Sequence, residues 1–135
     1  MREILFRGKT LIDNEWVIGA GVYKSEGDTW IITDDVTRTE SRGTGSDAII
    51  PETVGQYTGL TDKNGKKIFE GDIVAGAVHW LERMKNGVVA FRDGSFGLIW
   101  YRGEVEQFNP FTSMCNVEYE VIGNIHDNPE LLKGE

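Results

Sequence analysis

The sequence predicts a mainly β protein: a small β-barrel in the C-terminal half, an N-terminal β-hairpin lobe and short helical turns. Three observations lead there. Apolar residues alternate with period two through much of the chain, while long helical periodicity is scarce. The alternating runs are short and separated by turn signals such as Ser25-Glu26-Gly27-Asp28, Asn64-Gly65 and Asp93-Gly94. Four Trp, four Tyr and six Phe in 135 residues can fill a thin β core.

Taken in order, Glu15–Tyr23 reads as a strand, with Gly19 and Gly21 marking a bend or a close backbone approach. Thr29–Thr33 reads as its hairpin partner across the Ser25–Asp28 turn. Asp34–Asp47 is polar and rich in Gly, Ser and Thr, so a mobile loop is expected over 34–47. Pro51-Glu52 can open a short helical turn. Asn64-Gly65 predicts a hairpin closed by a type I′ turn, because both residue types tolerate positive φ. Ile68–Val74 is a strand broken at Glu70-Gly71-Asp72, where Asp72 is expected to accept backbone N–H groups.

Ala77–Lys85 fits a helical turn or an irregular crossover, which keeps an α+β arrangement open. Gly87–Tyr101 is the clearest hairpin. A two-residue turn at Asp93-Gly94 sets Arg92 opposite Ser95, Phe91 opposite Phe96, Val89 opposite Leu98 and Val88 opposite Ile99. Val117–Val121 alternates as a half-exposed strand, with a bulge expected at Gly123. Asn128-Pro129 reads as N-cap and first residue of a helical turn whose leucines cover a sheet edge. The Glu70–Val74 segment followed by a strand, an Asp-Gly turn and a further strand is the pattern of SH3-like barrels. The organisation expected is an N-terminal β lobe over 1–50 and an SH3-like barrel lobe over 51–135.

A chain of this length buries a core without disulfides or a metal. The single cysteine, Cys115, forms no internal disulfide, which fits a reducing compartment. The apolar run Ile4-Leu5-Phe6 is too short for a secretory signal, and no window reaches membrane-spanning length. A cytoplasmic protein without a membrane partner is expected. The net charge of −8 is uneven: −4 over 1–56, +2 over 57–102 and −6 over 103–135. An acidic chain repels a phosphate backbone, and only the segment 57–102 supports nucleic-acid binding.

Motifs with chemical potential are few. Gly8-Lys9-Thr10 imitates the end of a phosphate-binding loop, but the first glycine of that motif would stand where Glu3 is. Arg42–Ser46 reads as a flexible loop rather than an anion cradle. Cys115 with His126 is the one nucleophile–base pairing available, and an enzyme of unrecognised type would use it. A buried, inert Cys115 is the simpler reading. Asp34, Asp35 and Asp47 lack calcium-loop spacing, and one Cys with two His makes no zinc site. No cofactor, metal or catalytic set is expected. Of the aromatic residues Trp80, Phe91, Phe96, Trp100, Tyr101, Phe108 and Phe111, most are expected in the core. The candidate binding surface is Trp80, Arg83, Lys85, Arg92, Trp100, Tyr101 and Arg102, where aromatics and cations interleave.

Several segments resemble the YopX family of bacteriophages and prophages. They are MREILFRGK, PETVGQYTGLTDKNGKKIFEGDIV, GVVAFRDGSFGLIW and VEYEVIGNIHDNPELL, and they span most of the chain. The most specific are Gln56–Leu60, Glu70–Val74, Ile122–Ile125 and Asn128–Leu132. The resemblance implies a β-rich fold with an SH3-like component and expression in a bacterial host. It carries over no activity and no site residue. The expectation is therefore a non-enzymatic phage accessory protein that binds a macromolecule, protein favoured over nucleic acid, or assembles into a homo-oligomer.

Overall fold

Left-handed residues at tight turns punctuate the fold. The computed structural model describes residues 3–33, 45–80, 83–111 and 119–132, without the side chains of 76–80, 83 and 84. The chain divides into two compact units, Met1–Tyr57 and Thr58–Glu135. The described residues form twelve strands in three antiparallel sheets and two short 3-10 turns, so the mainly β reading holds and the α+β alternative does not.

In the first unit, β1 (Phe6–Lys9) pairs with β2 (Trp16–Gly19). The chain bends at Ala20 and continues as β3 (Gly21–Ser25), which forms a hairpin with β4 (Asp28–Ile32). Both central turn residues are left-handed, Glu26 at φ 53° and Gly27 at φ 86°, the signature of the I′ turn. β5 (Ser46–Ile49) pairs with β4. The close approach expected at Gly19 is present: a Cβ there would lie 1.9 Å from the Ile32 carbonyl oxygen. Of the expected loop 34–47, residues 34–44 lie outside the described residues. Ser46 and Asp47 belong instead to β5, because they complete the ladder opposite Ile32 and Ile31. The core of this unit is Val17, Ile31 and Ile49, with Phe6, Val22 and Val54 packed against them. Full burial of such a side chain stabilises by about 1.5–3 kcal/mol. Pro51 opens the first 3-10 turn, Pro51–Thr53, as its fixed φ favours.

β6 (Gly55–Thr61) pairs at its start with β1 and is followed along the chain by β7 (Lys67–Phe69), its neighbour in the same sheet. The turn between them departs from expectation. Only Gly65 is left-handed, and its N–H donates to the Asp62 carbonyl at 3.0 Å, so Lys63 and Asn64 occupy the turn centre. Asp62 is the cause: its Oδ1 accepts the N–H groups of Asn64 and Lys66, both at 2.9 Å, and pulls the turn one residue toward itself.

The second unit holds the five-stranded sheet, ordered β11-β10-β9-β8-β12. β8 is Asp72–Trp80, β9 Arg83–Arg92, β10 Ser95–Arg102, β11 Val105–Pro110 and β12 Val121–Asn124. Four of its features correct the sequence reading. Residues 77–80 and 83–85 are strand rather than helical turn or crossover, because Val78, His79 and Trp80 pair with Lys85, Met84 and Arg83. The strand expected at Val117–Val121 begins only at Val121; residues 117 and 118 lie outside the described residues. Asn128 stands at the expected N-cap position of the final 3-10 turn (Pro129–Leu132), its carbonyl accepting the Leu131 N–H at 3.1 Å, but its side chain turns back, and Oδ1 accepts the Asn124 N–H at 3.3 Å. The SH3-like barrel is not found either. Closure needs the end strands to pair, yet β11 and β12 remain edges, and β6 with β7 belongs to the sheet that contains β1.

Other expectations hold. The Asp93-Gly94 hairpin has the predicted register, and the ladder shifts between Val121 and Gly123 as a bulge there requires. Leu131 lies against Gly123 on edge strand β12. Buried Asp72 accepts the Phe69 N–H at 2.8 Å across the Glu70-Gly71 turn. The core is Ile68, Val74, Val89, Leu98 and Tyr119, joined by Phe111 and Val121.

Candidate functional site

The surface candidates fall on the ribbon β9–β10–β11, and strand alternation sorts them. Val89, Leu98 and Trp100 share the buried face; Trp100 is only 8% exposed. Its indole N–H reaches the Asn109 side-chain oxygen at 3.3 Å in the amide orientation that satisfies both groups. Trp100 is therefore a core residue and leaves the candidate surface. Phe91 and Val105 extend that same face beyond its two ends, where the core no longer covers them, and are 52% and 60% exposed. Phe91 meets Phe96 edge to face with ring centroids 5.0 Å apart.

Arg92, Tyr101 and Glu106 share the opposite face. Arg92 pairs beside Ser95, whereas Glu106 pairs beside Tyr101, six residues further along β10. In a flat sheet this offset would be roughly 20 Å. Arg92 nevertheless forms a two-pronged ion pair with Glu106, and the Tyr101 hydroxyl donates to Glu106 Oε1 at 3.3 Å. The ribbon must therefore be strongly coiled. Gly97 permits the tight packing, because a Cβ there would meet the Asn109 carbonyl at 2.4 Å and the Phe108 ring at 2.7 Å. The hydrogen bond from Arg92 holds the Glu106 carboxyl below its ordinary range, and the same bond raises the guanidinium. Both groups face solvent, so the pair adds little to stability. Its effect is geometric: it gathers Arg92, Tyr101 and Glu106 on one face, while their chain neighbours Phe91 and Val105 lie on the other.

Of the other candidates, Arg102 is exposed opposite Val105, and Lys85 is half-buried opposite Val78. Trp80 and Arg83 face each other across β8 and β9, with side chains outside the described ones. Sequence reasoning missed Glu106 and Val105, because strand β11 has weak alternation and its acids read only as part of the acidic C-terminal third. Those acids reach the basic middle. Glu106 takes Arg92, and Glu120 takes Lys63 at 3.6 Å.

His126 is half-buried in the turn after β12, where its backbone N–H donates to Asn124 Oδ1 at 2.9 Å. Cys115 lies outside the described residues, so the pairing is not placed. Gly8 and Lys9 lie within β1 rather than in a phosphate loop. Among the described residues, no three His, Cys, Asp or Glu side chains gather as a metal site, and no helix is long and apolar enough to cross a membrane.

Among the described residues, fold and surface define a two-unit, all-antiparallel β protein in which one ribbon carries exposed Phe91, Tyr101 and Val105 and the Arg92–Glu106 ion pair. The chain belongs to the YopX family: residues 5–133 match the family model described as YopX protein. Among solved structures it is similar to protein EF1440 from Enterococcus faecalis. Identity is 30%, the match covers 98% of this chain and 100% of that one, and the TM-score is 0.57. No curated protein matches.

Proposed function

We propose that this chain is a phage-derived accessory protein that acts in the bacterial cytoplasm by binding another protein. The observation that carries the reading is the exposure of Phe91, Tyr101 and Val105, each about half exposed or more, on the ribbon that carries the Arg92–Glu106 pair, with Tyr101 bonded to Glu106. An exposed aromatic side chain beside a positioned arginine, with further exposed apolar groups on the same ribbon, is the composition of protein interfaces. Engagement of Arg92 by Glu106 and of Lys63 by Glu120 weighs against nucleic acid, since it removes part of the positive charge of segment 57–102.

The test is capture from phage-infected cells with the wild type and with a Phe91→Ser, Tyr101→Ser, Val105→Ser variant whose circular dichroism matches. The expected outcome is a protein retained by the first and lost by the second. Equal capture by both would move the interface elsewhere. Titration of single-stranded DNA at low salt checks the nucleic-acid alternative, and tight, salt-sensitive binding would replace the protein reading.

A further inference from the structure

An edge strand leaves every second residue with an unspent backbone donor and acceptor. In the first unit, β3 is such an edge. Its hairpin closes on the two-residue turn Glu26-Gly27, so Ser25 and Asp28 exchange both hydrogen bonds, and the ladder alternates from there. Gly21, Tyr23 and Ser25 direct their N–H and C=O groups toward β4; Val22 and Lys24 direct theirs outward. Neither outward residue has a backbone partner among the described residues. Of the other edges, β5 is bonded by Lys9 and Leu11, β12 is bulged, β7 has three residues and β2 four, and β11 ends in Pro110, which lacks an N–H. β3 is five residues long, regular, and free of proline.

The sheet face beside this edge is apolar. Tyr23 stacks on Trp30 with ring centroids 6.3 Å apart and planes 11° apart, and Ala48 follows in register. Tyr23 and Ile32 are each 39% exposed.

We infer that β3 is a self-association site, pairing antiparallel with β3 of a second copy about a two-fold axis at Tyr23. Parity and charge select this register. Centred on Tyr23, Val22 of one copy faces Lys24 of the other, so both outward residues of both strands are bonded. Centred on Val22, Lys24 would face Ala20, whose N–H already donates to Ile32. Centred on Lys24, two lysines would stand directly opposed, which is destabilising. In the chosen register Tyr23 faces its own counterpart, and the Tyr23–Trp30 stack of one copy continues into that of the other.

A pair of five-residue strands buries far less than the roughly 1,600 Å² of a standard stable interface, so the association is reversible and seen only at high concentration. Each copy carries a net charge of −8, so added salt strengthens it. The inference rests on reading the chain as a binding module, but it concerns a surface separate from Phe91, Tyr101 and Val105.

Sedimentation of the full chain across a concentration series, at low and moderate salt, measures the association. Lys24→Pro removes an outward N–H without touching the β3–β4 ladder and should weaken it at least about tenfold. Lys24→Ala keeps the N–H and should leave it close to wild type. In a Cys115→Ser background, Tyr23→Cys places two thiols across the axis at a non-hydrogen-bonded pair and should oxidise to a dimer, whereas Ser25→Cys should not. A strict monomer at every concentration, equal cross-linking at both positions, or identical behaviour of the two Lys24 variants would overturn the inference. None of these results touches capture through Phe91, so the two proposals fail separately.

Discussion

Asp62 satisfies three backbone N–H groups with two carboxylate oxygens: Asn64 and Lys66 on Oδ1, and Val121 on Oδ2 at 3.0 Å. It thereby joins the β6–β7 turn to a strand fifty-nine positions away. The Val121 N–H, aided by those of Lys66 and Asn64, holds the carboxyl below its ordinary value of 3.8, against the opposing effect of burial. A depressed carboxylate stabilises the fold above its unfolded-state pKa and loses that contribution as pH falls through the lower folded value. Stability should therefore drop as pH falls below about 4. Asp62→Asn replaces an acceptor with a second donor. Urea unfolding should show the variant less stable at neutral pH and with a shallower loss toward acid. Equal acid slopes in the two proteins would count against this role.

At the scale of elements, turns set register. The Asp93-Gly94 hairpin was legible because left-handed conformations at both central residues, φ 52° and 81°, favour this residue pair, and a two-residue loop leaves one register. Gly94→Ala meets no steric neighbour, yet its backbone remains at positive φ. It should cost about 1–2 kcal/mol in chemical denaturation. Gly94→Asn should recover part of the loss, since Asn tolerates that region better. Asn64-Gly65 looked equivalent and was not, because the Asp62 side chain competes for the same turn. Residues 77–80 and 83–85 depart from the sequence reading for a related reason. Their composition suits helix or crossover, and only pairing between β8 and β9 makes them strand.

For the molecule as a whole, the charge of −8 at neutral pH and a pI near 4.8 place the solubility minimum above the pH at which Asp62 protonates. Precipitate formed near pH 4.8 should redissolve at pH 7 with native circular dichroism and no refolding lag. Recovery of only partly structured protein would mean that acid unfolding starts earlier than the Asp62 carboxyl allows. Charge also shows why the functional surface was only partly legible. The candidates Arg92 and Tyr101 do meet, but the group that unites them, Glu106, lies on another strand. Trp100 has the same composition signal as an exposed aromatic and is buried.

The sequence by itself determined the β class, the family, the two hairpins closed at Gly27 and Gly94, the bend at Gly19–Gly21 and the bulge at Gly123. Each follows from local conformational preference or from matching residues. The tertiary structure alone decided that β6 pairs with β1 and that the five-stranded sheet stays open. It also decided which aromatics are covered and which acids neutralise which cations. Those outcomes depend on contacts between residues tens of positions apart, where many pairings have similar local cost and only packing of the whole chain selects among them.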